Sequence, residues 1–382
     1  MSRENRIDLV TPYAPALAAR RGPYPVGVRT QRIVLHDQPD MGSGQQAGLD
    51  RPLTVERWYP AAEGTQAGGT YDTLLRDGVR RATLHGRAVR DADAAGGRFP
   101  LVLISHGYPG NRYLMVHLAE SLAARGFVVA AADHAGSTYD APDDFGITLL
   151  HRPLDQMGLI DALCAQAGKL GIDETRAGII GYSMGGYGAL IAAGAGLART
   201  ALDYPRAPRG GMLARHLAGS DTHAALADSR LRAVIAIGPW GGLYDMWDAQ
   251  GLAGIRVPTL VMAGTQDDVS GYAAMRGLYE GATGVARHLL SFHRAGHNAA
   301  APYPAPAESW DMSDTLGWPP FQHYADPVWD SVVMNNIAQH FAAAFMGRHL
   351  QEDADMERYL TPAMAGFAEG TAAGLTFETL GP

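Results

Sequence analysis

Lysine is almost absent from this chain. The 382 residues contain 31 lysines and arginines together, and Lys169 is the one lysine among them. It stands near the expected end of a helix, where a cation suits the helix dipole. The chain therefore lacks a lysine that could close a Gly-rich phosphate-binding loop, and Lys169 is a poor candidate for a Schiff base with pyridoxal phosphate. This scarcity argues against kinases, P-loop enzymes and pyridoxal enzymes.

Cysteine is equally scarce, because Cys164 is the only one in the sequence. A single cysteine can form neither an intrachain disulfide nor a thiolate metal cluster. Cys164 lies in an apolar, helix-like run, so we expect it to be a buried packing residue. The lack of disulfides is consistent with a cytoplasmic location, which we predict.

Positive charge and long apolar runs are also lacking. The formal net charge is −8, and charged residues make up 18% of the chain. An acidic chain without a basic cluster is a poor partner for nucleic acids or anionic membranes. No run approaches the ~20 apolar residues of a membrane helix, and the first ten residues do not resemble a signal peptide. Apolar residues make up 47% of the chain, enough for one large α/β domain.

The most informative motif is a Gly-x-Ser-x-Gly turn at Gly181–Gly185. An apolar run before it predicts a buried strand, and the residues behind it predict a helix. In such a strand-to-helix turn the serine hydroxyl projects beyond the sheet, and the glycines permit the tight bend. Ser183 is therefore the candidate nucleophile.

A carboxylate and an imidazole follow in the order expected of an α/β-hydrolase. Asp267 comes just after the predicted strand at residues 257–264, and His297 comes just after the one at 288–293. The order Ser, Asp, His distinguishes this fold from the two other well-known triad folds. We predict that His297 is the general base and then the acid, and that Asp267 orients its ring.

The sequence leaves open which aspartate is the acid of the triad. Asp268 directly follows Asp267 and could take its place. Asp245 and Asp248 follow the preceding strand, but their positions are more typical of exposed residues at the start of a helix. Spacing from the strand favours Asp267.

The residues around Ser183 predict an oxyanion hole and a binding pocket. Acyl transfer requires donors that face the developing negative charge. In this fold they are the backbone N–H of the residue after the nucleophile, here Met184, and one from the loop after the third strand, here Tyr108. Tyr182, Trp240 and Tyr108 are also candidates for binding the substrate, although aromatic packing explains them as well.

No metal or organic cofactor is predicted. His293 and His297 are four residues apart, a spacing that aligns two zinc ligands only on a helix, and Gly296 with a strand-like run argues against one. The acidic stretch Glu352–Asp355 lacks the glycine and the spacing of a calcium loop.

Continuous apolar strands that alternate with helices predict a mostly parallel central sheet with helices on both faces. We divide the chain into an N-terminal arm (1–30), an α/β-hydrolase domain (31–350) and a C-terminal tail (351–382), with small cap insertions at about 198–230 and 299–328. Strands are expected at 30–36 and 53–59, both as edge strands, and at 99–105, 127–132, 176–182, 231–238, 257–264 and 288–293. Helices are expected at 112–125, 152–170, 184–197 and 329–346.

The chain carries the segments ISHGYPG (Ile104–Gly110), DHAGS (Asp133–Ser137) and GYSMG (Gly181–Gly185), followed by Asp267 and His297. This combination resembles the bacterial α/β-hydrolases grouped with platelet-activating-factor acetylhydrolase and dienelactone hydrolase-like proteins. The resemblance covers roughly residues 50 to 345. It implies a cofactor-free serine hydrolase of carboxylic esters. True dienelactone hydrolases carry cysteine at the turn where this chain carries Ser183.

The sequence thus predicts a serine carboxylesterase that acts on a small or oligomeric ester through an acyl-enzyme. An amidase or peptidase with the same triad is the alternative within enzymes. A binding protein without activity on a hydrolase scaffold is the alternative outside them. Acyl length, alcohol and oligomeric state are left open.

Overall fold

A computed structural model describes residues 5–142 and 145–382 of the chain. Residues 1–4, part of the predicted N-terminal arm, lie outside the described residues. In the described part, ten strands form one sheet and two form a separate hairpin. The strands in chain order are β1 (Val26–Asp40), β2 (Gln45–Pro60), β3 (Thr70–Leu74), β4 (Arg81–His85), β5 (Val89–Arg90), β6 (Phe99–Ser105), β7 (Val128–Asp133), β8 (Ile172–Tyr182), β9 (Leu231–Ile237), β10 (Thr259–Gly264), β11 (Arg287–Phe292) and β12 (Leu375–Leu380).

The centre of the sheet is parallel, as the alternation of strands and helices predicts. The strand order is β12-β11-β10-β9-β8-β6-β7-β2-β1-β5. Neighbours from β7 to β11 pair in parallel, whereas β12, β2 and β1 are joined by antiparallel ladders. The carboxyl ends of the parallel strands therefore meet at one edge of the sheet, where ligands bind in open α/β sheets.

Helices cover both faces of the sheet. Successive strand residues point to opposite faces, and in β6 this places Leu101 and Leu103 in one buried cluster and Val102 and Ile104 in the other. α3 and α5 pack into the first cluster, and α2 and α9 into the second. The helices are α1 (Ala16–Ala19), α2 (Val116–Ala123), α3 (Phe145–Cys164), α4 (Ala167–Leu170), α5 (Met184–Ala193), α6 (Asp221–Ala224), α7 (Ala249–Ala253), α8 (Tyr272–Gly281) and α9 (Ser331–Leu350).

The predicted boundaries at residues 30 and 350 cut through this sheet. β1 already begins at Val26, and β12 adds residues 375–380 to the edge at β11. Residues 375–380 mix polar and apolar side chains and form no apolar run, so the sequence pattern does not indicate this strand. A strand at the sheet edge needs only one buried face, and here Phe377 supplies it.

Three predicted elements differ from the observed ones. Residues 53–59 belong to β2, which lies inside the sheet between β7 and β1 and is not an edge strand. β1 and β2 extend beyond the predicted strands at 30–36 and 53–59, because backbone pairing continues through polar residues to Asp40 and Gln45. The helix expected at 152–170 is split into α3 and α4, and α3 contains Pro153.

The two insertions contain short helical turns. The first includes Arg199–Asp203, Arg209–His216 and α6; the second includes Ala307–Ser309 and Pro320–His323. Asn298, next to His297, donates its side-chain amide to the carbonyls of Gln322 (2.9 Å) and Ala325 (2.8 Å) and so fixes the second insertion to the functional edge. Among the described residues, no helix combines the length and apolarity needed to cross a membrane.

Candidate active site

Ser183 stands at the bend between β8 and α5. Its backbone has φ 52° and ψ −112°, a region that residues other than glycine rarely occupy. A Cβ on Gly181 would lie 2.2 Å from the carbonyl oxygen of Gly185, and a Cβ on Gly185 would lie 2.0 Å from that of Ser105. The glycines of the motif are thus required by backbone contact. The bend directs the Ser183 side chain to the carboxyl edge of the sheet.

The three predicted triad residues meet at this edge. His297 Nε2 is 3.0 Å from Ser183 Oγ, and His297 Nδ1 is 2.8 Å from Asp267 Oδ2. Both distances are typical of hydrogen bonds. A proton on Nδ1 is held by the carboxylate, which leaves Nε2 free to accept the serine proton. The arrangement can therefore remove a proton from the Ser183 hydroxyl.

Asp267 is held as a carboxylate. Its Oδ1 accepts the backbone N–H groups of Val269 (2.9 Å) and Ser270 (2.8 Å), while Oδ2 faces His297. Burial raises the pKa of Asp267, but the hydrogen bond and charge of His297 and the two N–H groups lower it more, so the net pKa is below its usual range. The residue therefore stays ionised at neutral pH, ready to balance an imidazolium.

The alternative acids occupy other positions. The Asp268 side chain is exposed and lies at the rim of the cleft, while its neighbour Asp267 takes the bond to His297. Asp248 caps α7 by accepting the N–H of Gly251 at 2.8 Å, and Asp245 follows a 3₁₀ turn with φ 51°. The structure thus brings Asp267, and neither Asp268 nor Asp245, to the imidazole.

The two predicted oxyanion donors flank Ser183. Met184 is the first residue of α5, and the first N–H groups of a helix have no acceptor within it. Tyr108 follows β6 in the adjacent loop, and both residues line the same cleft as Ser183. The loop is packed closely here, since a Cβ on Gly107 would lie 3.3 Å from the Cβ of Ser183. A substrate carbonyl over Ser183 would thus have backbone on both sides.

A buried polar network supports the loop after β6, which carries the predicted oxyanion donor Tyr108. Arg152 of α3 donates to the carbonyl of His106 and to Ser137 Oγ. On the same helix, Gln156 donates to the carbonyl of Gly185 at 2.9 Å. Burial lowers the pKa of Arg152 to about 9, so its guanidinium remains charged at neutral pH. α3 therefore holds both the loop and the turn that carry the predicted donors.

Part of this network has the composition of a second Ser-His-Asp triad. Ser105 Oγ is 2.9 Å from His134 Nε2, and His134 Nδ1 is 3.1 Å from Asp155 Oδ2. All three side chains are buried, and Arg51 binds both carboxylate oxygens of Asp155 at 3.1 Å. Burial and the charge of Arg152 lower the pKa of His134 to about 4. Because substrate cannot reach Ser105, this triad is structural.

The cleft above Ser183 has a volume of about 720 Å³. One wall is aromatic: Trp240 and Tyr108 contact Phe145 edge-on, with ring centres 4.9 and 5.0 Å away. The other wall includes Trp318 and His323 from the second insertion. Tyr182 lies beside the imidazole of His297, with 5.1 Å between ring centres, and donates its hydroxyl to Asn298 at 3.1 Å. All the predicted pocket residues therefore line the cleft.

Several cleft residues were not anticipated. They are Arg76 from the β3–β4 hairpin, Phe145 at the start of α3, Arg206 from the first insertion, and His323. Only the position of the insertions, on the active-site side of the sheet, pointed to any of them. The hairpin and the loops carry no periodic pattern, so their side chains could not be assigned to a surface.

The two histidines considered as zinc ligands have different hydrogen-bond partners. His293 Nε2 is 2.7 Å from Thr376 Oγ1 of β12, whereas His297 faces Asp267 and Ser183. Within the described residues, no group of three histidine, cysteine or acidic side chains is placed to hold a metal ion.

Known proteins resemble parts of this chain in sequence, and a solved structure resembles its whole fold. The family described as "PETase: PET hydrolase-like" matches residues 67–209, which include Ser183. Cutinase est2 of Thermobifida alba is 40% identical over 89 residues, 23% of this chain and 28% of that protein. Cutinase 2 of Thermobifida cellulosilytica is 30% identical over 169 residues, 44% of this chain and 48% of that protein. Bis(hydroxyethyl) terephthalate hydrolase of Streptomyces coelicolor is 37% identical over 98 residues, 25% and 29% of the two chains.

The chain thus spans less than half the length of these curated relatives. A solved structure of ferulic acid esterase from Streptomyces cinnamoneus superimposes with a TM-score of 0.64 at 20% identity, over 98% of this chain and 99% of that one. The strand order, the turn at Ser183 and this superposition lead to one conclusion: the chain has the α/β-hydrolase fold, as predicted from its sequence.

Proposed function

We propose that the protein is a serine hydrolase of carboxylic esters. The observation that carries this proposal is the unbroken hydrogen-bonded chain Asp267–His297–Ser183, which ends in an open cleft. Such a chain activates a hydroxyl that is otherwise a weak nucleophile. The relatives named as cutinases and as a terephthalate ester hydrolase support ester chemistry. The narrower resemblance to platelet-activating-factor acetylhydrolase and dienelactone hydrolase-like proteins stays a prediction.

The proposed reaction uses these residues in turn. Ser183 Oγ attacks the ester carbonyl as His297 Nε2 takes its proton, and Asp267 stabilises the imidazolium. The carbonyl oxygen becomes an oxyanion between the N–H groups of Tyr108 and Met184. His297 then returns the proton to the leaving alcohol, which leaves an acyl group on Ser183. Water adds to this acyl-enzyme by the same route and releases the acid.

The cleft favours an ester with an aromatic or bulky apolar part. Trp240 belongs to its aromatic wall, and Tyr204 and Tyr244 pack against Trp240 with ring centres 5.5 and 5.0 Å away. The exposed apolar side chain of Val269 also lines the cleft. Aromatic rings bind flat apolar groups through large contact areas. The terephthalate hydrolase of Streptomyces coelicolor is named for an aromatic ester too.

The decisive experiment removes the nucleophile. Ser183→Ala should lower turnover of a short 4-nitrophenyl ester by about three orders of magnitude or more, since residual catalysis then comes from binding and the oxyanion hole. A fluorophosphonate probe should label the wild-type protein at Ser183 and leave Ser183→Ala unlabelled. Circular dichroism checks that the variant is folded.

Ser105→Ala provides the matched control, because Ser105 also bonds to a histidine that bonds to an aspartate. This variant should still be labelled at Ser183. Labelling at Ser105, or full turnover by Ser183→Ala, would overturn the proposal. An unlabelled wild-type protein would favour the alternative of a binding protein. Faster hydrolysis of a matched anilide than of the ester would favour the amidase.

A further inference from the structure

The cleft contains two guanidinium groups that no carboxylate of residues 5–142 and 145–382 neutralises. Arg76 reaches it from the β3–β4 hairpin and Arg206 from the first insertion. Neither forms an ion pair with any acidic side chain of the described residues. Since charges in a cleft are screened less than charges on an open surface, both groups can attract an anion.

The acidic residues of the cleft are engaged elsewhere or exposed. Asp326 Oδ2 accepts the N–H of Gly296 at 2.7 Å, and its Oδ1 accepts those of Val328 and Trp329 at 2.8 and 2.9 Å. Asp268 is exposed to solvent. The carboxylates that line the cleft therefore do not satisfy Arg76.

Arg76 is the better placed of the two cations. Its backbone N–H donates to Tyr324 Oη at 3.0 Å, and its guanidinium lies 5.9 Å from the ring centre of Trp318. The side chain is half-buried, so a position beside an aromatic ring limits its freedom. Arg206, in contrast, is exposed and lies 4.4 Å from the ring centre of Phe145. Only Arg76 combines partial burial with a fixed backbone.

His323 connects Arg76 with the proposed catalytic centre. Burial, then the charge of Arg76 and then that of His297 lower the pKa of His323 to about 3. Its Nε2 is hydrogen-bonded to Tyr139 Oη at 2.8 Å. His323 is therefore neutral at working pH, and it lies within the electrostatic reach of both Arg76 and His297. An ester at Ser183 can extend past this neutral ring towards the guanidinium.

We propose that Arg76 binds a free carboxylate carried by the substrate elsewhere than at the scissile bond, so that the preferred substrates are acid-bearing esters. This inference rests on the proposed ester hydrolase function. The reaction adds one water across the ester and gives an alcohol and a second acid, while the carboxylate at Arg76 is unchanged. Such substrates arise when an earlier hydrolysis has cut one ester of a diester or oligoester. The protein would then act after that first cut.

The experiment compares esters that differ only in this carboxylate. On the acyl side the pair is mono-4-nitrophenyl adipate and 4-nitrophenyl hexanoate. On the alcohol side it is 4-(butanoyloxy)benzoate and its methyl ester. The quantity measured is the ratio of kcat/KM within each pair. In the wild-type protein, at least one pair should favour the acid, and the two arms show on which side of the ester the carboxylate lies.

Arg76→Gln should lower that ratio by about 10- to 100-fold, the usual effect of losing a charged hydrogen bond. The loss should appear mainly in KM, because the contact is present in both the bound substrate and the transition state. Arg76→Lys should restore part of the preference for the acid, since an ammonium keeps the charge but cannot form the bidentate hydrogen bonds of a guanidinium.

Arg206→Gln is the matched control, with the same change of charge in the same cleft. It should alter the ratio by about threefold or less, and salt should abolish this effect. An equal loss in both variants, or equal rates within both pairs in the wild-type protein, would overturn the assignment of Arg76. A wild-type protein that hydrolyses neither the acids nor the neutral esters would instead refute the proposed ester hydrolase function.

Discussion

Ser183 is held in an unfavourable backbone conformation by its neighbours. Holding a residue other than glycine in this backbone conformation costs on the order of 1–3 kcal/mol of folding free energy. Its N–H donates to the carbonyl of Ile237 at 2.9 Å, and its carbonyl accepts the N–H groups of Tyr187 (3.0 Å) and Trp240 (3.1 Å). These bonds connect the turn to β9 and α5, so the sheet and the helix together fix the position of the hydroxyl.

At the same scale, the carboxylate that faces His297 should matter far more than its neighbour. Asp267→Asn should lower kcat by about three to four orders of magnitude, because the amide favours the wrong tautomer of His297 and cannot balance its charge. KM should change little. Steady-state kinetics on a 4-nitrophenyl ester measures both.

Asp268→Asn is the control for this prediction, because it makes the same chemical change one residue away. An exposed side chain without a bond to the imidazole should alter kcat by less than about threefold. Comparable losses in both variants would show that the acid is not fixed at position 267.

The sequence predicted the three triad residues because each follows a strand with strong apolar character. Ser183, Asp267 and His297 could thus be located by counting from the ends of β8, β10 and β11. Arg76 and His323 could not, since they reach the cleft from a polar hairpin and a proline-rich loop whose conformation depends on tertiary contacts.

At the scale of elements, β12 is part of the core although it lies far from the other strands in sequence. Phe377 is 2% exposed, and its ring stacks on that of Phe341 of α9, with ring centres 4.9 Å apart. The strand also pairs along the whole of β11, which leads to His297. β12 therefore stabilises the edge of the sheet that supports the imidazole.

Phe377→Ala should lower the free energy of unfolding by about 3–5 kcal/mol, the usual cost of removing a buried aromatic ring. Leu380→Ala, on the same strand but with a side chain 39% exposed, should cost about 0.5 kcal/mol or less. Urea denaturation compares the two. Similar midpoints for both variants would mean that β12 is not packed as described.

Strands differed in how well the sequence predicted them. The central parallel strands are buried on both faces and form continuous apolar runs, so they were found within a few residues. β12 and the outer half of the β1–β2 hairpin were missed because backbone hydrogen bonds hold them in the sheet. Their polar side chains give no apolar pattern in the sequence.

At the scale of the whole molecule, buried neutral histidines link stability to pH. Eight buried histidines of the described residues have a pKa lowered by burial. For six of them the pKa falls to about 4, or to about 3 in the case of His216. They are His117, His134, His151, His216, His288 and His340. In the unfolded chain each takes up a proton near its ordinary pKa of ~6.5, whereas in the folded state it does not until the pH is much lower.

The unfolded state thus binds more protons between about pH 6.5 and 4, so stability should fall as the pH falls through this window. Each histidine contributes about 1.4 kcal/mol per pH unit, and the raised pKa values of the Glu120 and Asp133 carboxyls oppose this in part. We expect urea midpoints that are constant from pH 8 to 7 and decrease steadily from pH 6.5 to 5. Constant midpoints down to pH 5 would contradict the burial of these rings as neutral groups.

Part of the cleft lining comes from the two insertions, which the sheet does not need. Ser183, Asp267 and His297 sit on short turns at strand ends, while Arg206 and Trp318 sit on the two insertions. Loops of this kind tolerate replacement far better than strands do. Substrate choice can therefore diversify by exchange of these loops, and a mutational library confined to residues 198–230 and 299–328 would sample new specificities on an unaltered reactive core.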